Sequence, residues 1–166
     1  MRGEPEGFCE FVATRTGGLL RTAWMLTGDA HLAEDLLQAA LARTWPHWHR
    51  IGEHPEAYVR RVMVRLQAAW WRRRWNGEVP TGELPEASAP DRYGEADERA
   101  VLAEALRGLP RRQRQVVVLR HYEDLPEREV AQILGVGVGT VKSQNAKGLR
   151  RLRAALAACE RTEELR

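Results

Sequence analysis

The 166-residue sequence predicts an all-α protein of two small helical domains joined by an acidic linker. Three observations carry that prediction. Apolar residues recur at helical spacing along most of the chain, and strand signals are nearly absent; Val116-Val117-Val118 is short and sits inside a helical pattern. Residues 76–96, NGEVPTGELPEASAPDRYGEA, hold three Pro, three Gly and five acids, which is the composition of a flexible or extended connector. Charge divides the chain in the same way. Residues 1–75 carry 11 basic against 8 acidic side chains, residues 76–96 carry 1 against 5, and residues 97–160 carry 12 against 8. Two basic blocks around an acidic bridge fit two surfaces that touch one polyanion. The boundaries read from these shifts are 1–75, 76–96, 97–160 and a charged, frayed tail at 161–166.

The first helix is predicted from Phe8 to Leu26, with Phe8, Phe11, Val12, Leu19, Ala23 and Trp24 as its buried stripe. Gly17-Gly18 inside it costs about 1–2 kcal/mol relative to alanine, so tertiary packing must hold that helix. Gly28 closes it, and Asp29 caps the next. The second helix runs from Ala30 to Trp45 and buries Leu32, Leu36, Leu37, Ala40 and Leu41. Glu34, Asp35 and Gln38 group on another side, which composition alone reads as a solvated face near the positive end of the helix dipole. Pro46 stops that helix, and HWHRIGEHPE follows as a loop. Its His47, His49 and His54 have no carboxylate or thiol at supporting spacing, so no metal site is expected.

From Ala57 to Trp75 the sequence AYVRRVMVRLQAAWWRRRW holds six Arg and no acid. Tyr58, Val62, Leu66 and Ala69 share one predicted inner face. Basic side chains interleaved with aromatics suit nucleic acid, because arginine neutralises phosphate and an exposed ring stacks on an unpaired base. Of Trp70, Trp71 and Trp75, at least one is expected in the core. Past the linker, a helix from Asp97 buries Val101, Leu102, Ala105, Leu106 and Leu109. Another opens at Leu109-Pro110 and continues to Tyr122.

Leu125 to Leu156 then reads as two helices around a tight turn. Val130, Ala131, Ile133 and Leu134 line the first, and Gly135 closes it in a left-handed conformation. Val141, Leu149, Leu152 and Leu156 face inward from the second. Rotation by about 100° per residue places Gly139, Ser143, Lys147 and Arg150 opposite Val141, with Thr140 and Lys142 at the flanks. No Asp or Glu lies between Glu129 and Glu160. A basic, acid-free helix after a short glycine turn suits a DNA major groove.

Other classes fit poorly. No apolar run approaches the roughly 20 residues of a membrane span. Glu4, Glu6 and Glu10 stand where a signal segment would begin, so the expected address is the cytoplasm. Cys9 and Cys159 lie at opposite ends of the chain without CxxC spacing. There is no phosphate-binding glycine loop and no Ser/His/Asp constellation, so neither enzymatic activity nor a cofactor is expected.

Taken together, these runs resemble the extracytoplasmic-function sigma factors of bacterial RNA polymerase over most of the chain. Ala33 to Gln38 is similar to the family's core-binding motif, and Ala57 to Arg74 to its minus-ten region. Leu109-Pro110 with Gln113-Arg114, Val117, Leu119-Arg120, Glu123 and Leu125 is similar to the opening of its second domain. Glu129 to Ala131, Leu134-Gly135 and Gly139 to Ser143 resemble its helix-turn-helix. Thr22-Ala23, Leu26 to Asp29 and Trp71 to Arg73 resemble the actinobacterial SigE-type subgroup. The resemblance implies an alternative sigma factor whose Glu34, Asp35 and Gln38 dock on the β′ clamp helices of core RNA polymerase. It implies minus-ten contacts by Tyr58, Arg61 and Arg65, with Arg72, Arg73 and Arg74 on phosphates. It implies minus-thirty-five contacts by Thr140, Lys142, Ser143, Gln144, Ala146, Lys147 and Arg150, a second polymerase contact at the β flap, and room for an anti-sigma partner. Arg65, Gly137 and Lys147 depart from common family residues, which leaves base preference open. Two rivals remain at this point: a LuxR-type DNA-binding regulator, and a degenerate sigma relative acting as a protein-interaction adaptor.

Overall fold

The computed structural model describes residues 3–75 and 94–166, with side chains for 3–70 and 98–166. The chain divides into two compact units, Met1–Glu86 and Ala87–Arg166. The described residues are helical and contain no strand. The predicted linker lies, as far as residue 93, outside the described residues.

The first unit packs three helices on one another. Helix α1 spans Phe8–Thr27 and ends at Gly28, whose left-handed φ of 71° lets its N–H reach Trp24 O. Asp29 caps α2, Ala30–Thr44, by accepting from the Leu32 N–H at 2.9 Å. Helix α3 spans Pro55–Trp75, with proline at its first position, where no N–H is needed. Phe11, Leu19, Ala23, Ala33, Leu36, Leu37, Ala40, Val59, Met63 and Leu66 form the shared core. Each Leu or Met side chain fully removed from water there contributes about 1.5–3 kcal/mol. Gln67 closes one end of the core, donating from Nε2 to Leu26 O at 2.6 Å.

Two expectations for this unit are corrected. The chain does not enter a loop at Pro46: Trp45–Arg50 winds into a 3-10 turn with Pro46 in its first turn. Aromatic packing holds that turn, because Trp45 and Trp48 meet Phe8 edge-on and Trp48 also donates to Glu6 O at 2.8 Å. The buried side of α3 is also turned from the one predicted. Val59, Met63, Val64, Leu66 and Gln67 are buried, and Tyr58, Val62 and Ala69 sit half-buried at its margin. Helical spacing fits both stripes, and the space left by α1 and α2 takes the one that carries Val59 and Met63. Trp70 packs on the same core.

Among the described residues the second unit has four α-helices. Helix α4 spans Gly94–Arg107, beginning three residues ahead of the predicted Asp97. Helix α5 spans Arg111–Val117, with Pro110 just outside it, and the chain continues as a π-helical turn over Val118–Tyr122. Helices α6, Glu127–Leu134, and α7, Val138–Glu164, follow. Leu106, Leu109, Val116 to Leu119, Val130, Ala131, Ile133 and Val141 are buried. Arg114 is half-buried and donates to Leu106 O, Arg107 O and Leu109 O, so it satisfies carbonyls left open where α4 ends. Burial lowers the pKa of that guanidinium, and repulsion from Arg107 and Arg111 adds to the effect.

At its 27 residues α7 is about 40 Å long. It continues to Glu164, so the expected frayed tail is helical for most of its length. The charges there sit one to four residues apart on an exposed helix end, and nothing in that spacing forces the helix to stop.

Candidate nucleic-acid and protein interfaces

Three outward faces carry the residues singled out from sequence. On α2, the buried side of Ala33, Leu36, Leu37, Ala40 and Thr44 leaves Glu34, Asp35 and Gln38 exposed together. Their helical positions span about 100°, so a single partner helix can meet all three. This is an acceptor-rich surface: two carboxylates and one amide. Bonds from arginine to such carboxylates are among the stronger, orienting contacts available to proteins.

On α3, Tyr58, Arg61 and Arg65 follow one another at three and four residues, the spacing of one helical face. Arg61 and Arg65 are exposed and Tyr58 is half-buried. Glu56 lies at the start of the same helix, 2.7 Å from Arg60 and 3.9 Å from Arg15 of α1. That acid is engaged inside the unit, and the outward face stays cationic. Arg72, Arg73 and Arg74 belong to the helical backbone of α3, and their side chains lie outside those described.

The third face is the start of α7. Gly135, at φ 67°, ends α6 and donates to Ala131 O; Val136 donates to the same carbonyl at 3.1 Å. Gly137 then provides an extended N-cap without a side-chain bond, as expected of a glycine at that position. Backbone bonds therefore close the turn where a side-chain cap would otherwise act. Val141 is fully buried beneath it, whereas Thr140, Lys142, Ser143, Ala146, Lys147 and Arg150 are exposed and Gln144 is half-buried. The predicted outward set is thus on one surface, with hydroxyl, amide and cationic groups able to meet base edges and phosphates.

Sequence reasoning missed three features of this region. Gly148 is buried where α7 crosses α5: a Cβ added there would stand 2.7 Å from Val117 Cγ2 and 3.3 Å from Gln113 O. His121 Nε2 lies 2.9 Å from Asn145 Oδ1, tying the π-helical turn to α7. Lys142 Nζ lies 3.9 Å from Glu127 Oε2 of α6. A small residue on the inner helical face could have signalled the first; the other two join residues 24 and 15 positions apart, beyond any local pattern. Among the described residues no group of three His, Cys, Asp or Glu could hold a metal ion, and no helix is long and apolar enough to cross a membrane.

Comparison with known proteins identifies the two units. Residues 12–77 match Sigma-70 region 2 and residues 99–152 match Sigma-70, region 4. The chain is 46% identical over 158 residues to the RNA polymerase sigma-E factor of Streptomyces coelicolor, covering 94% of this chain and 89% of that one. It is 32% identical over 145 residues to the ECF RNA polymerase sigma factor SigL of Mycobacterium tuberculosis, covering 83% and 82%. The fold is similar to that of the sigma factor RpoE solved with the anti-sigma factor NepR from Bartonella quintana, with a TM-score of 0.73, 23% identity and coverage of 90% and 96%. It is also similar to CnrH solved with the cytosolic domain of CnrY, with a TM-score of 0.63, 21% identity and coverage of 94% and 91%. The region 2 match occupies the half in which a LuxR-type regulator would carry its receiver or ligand-binding domain, and that rival falls. On its matched regions and its near-full-length relatives, the chain belongs to the extracytoplasmic-function family of RNA polymerase sigma factors.

Proposed function

We propose that each of the three faces has its own task in promoter-specific initiation. Glu34, Asp35 and Gln38 on α2 dock on the β′ clamp helices of core RNA polymerase. Tyr58, Arg61 and Arg65 on α3 hold unpaired bases of the minus-ten element, and Arg72 to Arg74 bind phosphates. Thr140, Lys142, Ser143, Gln144, Ala146, Lys147 and Arg150 on α7 read the minus-thirty-five duplex, and the second unit also meets the β flap. The polymerase performs the chemistry; this chain selects the site and helps open it, in the cytoplasm. That two relatives of the same fold were solved with an anti-sigma factor or a cytosolic partner domain supports an anti-sigma protein as a further partner. The observation that carries the reading is the sorting of charge. The acceptor face of α2 and the cationic faces of α3 and α7 all point away from the cores that hold them.

The test is Asp35→Arg in the full chain. Truncating or reversing a charge in a partly dry interface costs 2–5 kcal/mol, so affinity for core polymerase should fall about 30-fold or more. Because Asp35 is exposed and far in sequence from α7, weak binding to duplex DNA should persist. Normal polymerase binding by the variant would remove the docking assignment. Wild-type protein that binds core polymerase but supports transcription from no promoter would favour the adaptor reading.

A further inference from the structure

The recognition turns of α7 contain no acid, yet folding brings one to their flank. Glu127, in the first turn of α6, places Oε2 3.9 Å from Lys142 Nζ. At that distance the pair is an electrostatic contact and not a hydrogen bond. The ammonium therefore keeps its donors for another acceptor. Neither group is withdrawn from solvent: 64% of the Lys142 side chain and 31% of the Glu127 side chain remain accessible. In water such a pair adds little stability, so its consequence is to be sought in what Lys142 touches.

We propose that Glu127 is a further specificity-determining residue, acting with Lys142 to read a G·C base pair in the upstream duplex. The proposal rests on the duplex-reading role of α7 given above. Lysine alone is a poor reader, because its ammonium is a flexible point charge that binds any nearby phosphate. Glu127 changes this in two ways. Its carboxylate repels phosphate and biases the neighbouring ammonium away from the backbone, which favours a base edge as the partner of Lys142. Being acceptor-only, the carboxylate can take the N4 amino group of cytosine, while Lys142 donates to O6 and N7 of the guanine paired with it. The two side chains together match the donor and acceptor pattern of one G·C pair. The remaining cations of α7 bind phosphate without this selection.

The experiment uses the full chain assembled with core polymerase and a duplex library randomised upstream of a fixed minus-ten element, with sequencing of the retained fraction. Wild type should enrich an upstream motif containing a G·C position. Glu127→Gln should lower enrichment at that position by about fivefold, since the amide also accepts adenine. It should also retain more of the bulk library and steepen the salt dependence by about one unit, because one fewer negative charge faces the phosphates. Lys142→Ala should flatten the same position while retaining less of the bulk, and the double variant should flatten it no further than either single change. An unchanged motif and salt slope in Glu127→Gln would overturn the proposal, as would loss of different positions in the two single variants. A wild type that enriches no upstream motif would overturn the duplex-reading role itself, and this proposal with it.

Discussion

Helices α3 and α7 both present cationic outward faces, but they are held in opposite ways. Helix α3 is fixed by volume: Val59, Met63 and Leu66 are each buried to 3% accessibility or less in the core shared with α1 and α2. The reading end of α7 is fixed by proximity. Over its first 11 residues only Val141 and Gly148 are buried, and at Gly148 the helix backbone approaches α5 too closely to admit a methyl group without displacement. A face supported by large side chains tolerates changes on its outer surface. One supported by close backbone approach is sensitive to a single atom on its inner surface.

That contrast can be broken most directly in the core of the first unit. Met63→Ala removes a fully buried side chain and should cost about 2–5 kcal/mol, read as faster amide exchange across α1 to α3. The opposite operation should damage the second unit. Gly148→Leu adds volume where Val117 and Gln113 leave none, and a loss of about 3 kcal/mol is expected, read as faster exchange in α5 and α7. If Met63→Ala proved silent, or Gly148→Leu were accommodated without change in α7, the distinction between support by volume and support by proximity would collapse. The smallest effect sharpens it. Gly17 lies inside α1, where an added Cβ meets nothing within 4 Å. Gly17→Ala should therefore raise stability by about 1 kcal/mol in thermal unfolding, in contrast to added volume at Gly148.

Much of this organisation was legible in the chain itself. The all-helical class, the Asp29 cap, the helix end at Gly28, the left-handed closure at Gly135 and the outward set on α7 each follow from short-range rules of capping, glycine conformation and a 3.6-residue period. The errors cluster where two local solutions were nearly equal. The stripe Tyr58, Val62, Leu66 and Ala69 has the same period as the stripe that α3 buries, and only the space left by α1 and α2 distinguishes them. Pro46 reads as a stop in isolation, but Phe8 and Glu6, some forty residues earlier, supply the contacts that hold Trp45 and Trp48 in a 3-10 turn.

The helical content and the outward placement of the charged residues were set by the order and spacing of residues, because capping, helical period and charge sorting act within a few residues of one another; the family was legible as a resemblance of motifs. The rotation of α3, the role of Arg114 at the end of α4, the close crossing at Gly148 and the acid beside Lys142 were decided by tertiary structure. Each depends on groups that meet only after separate helices have packed, and no local pattern records the distance between them.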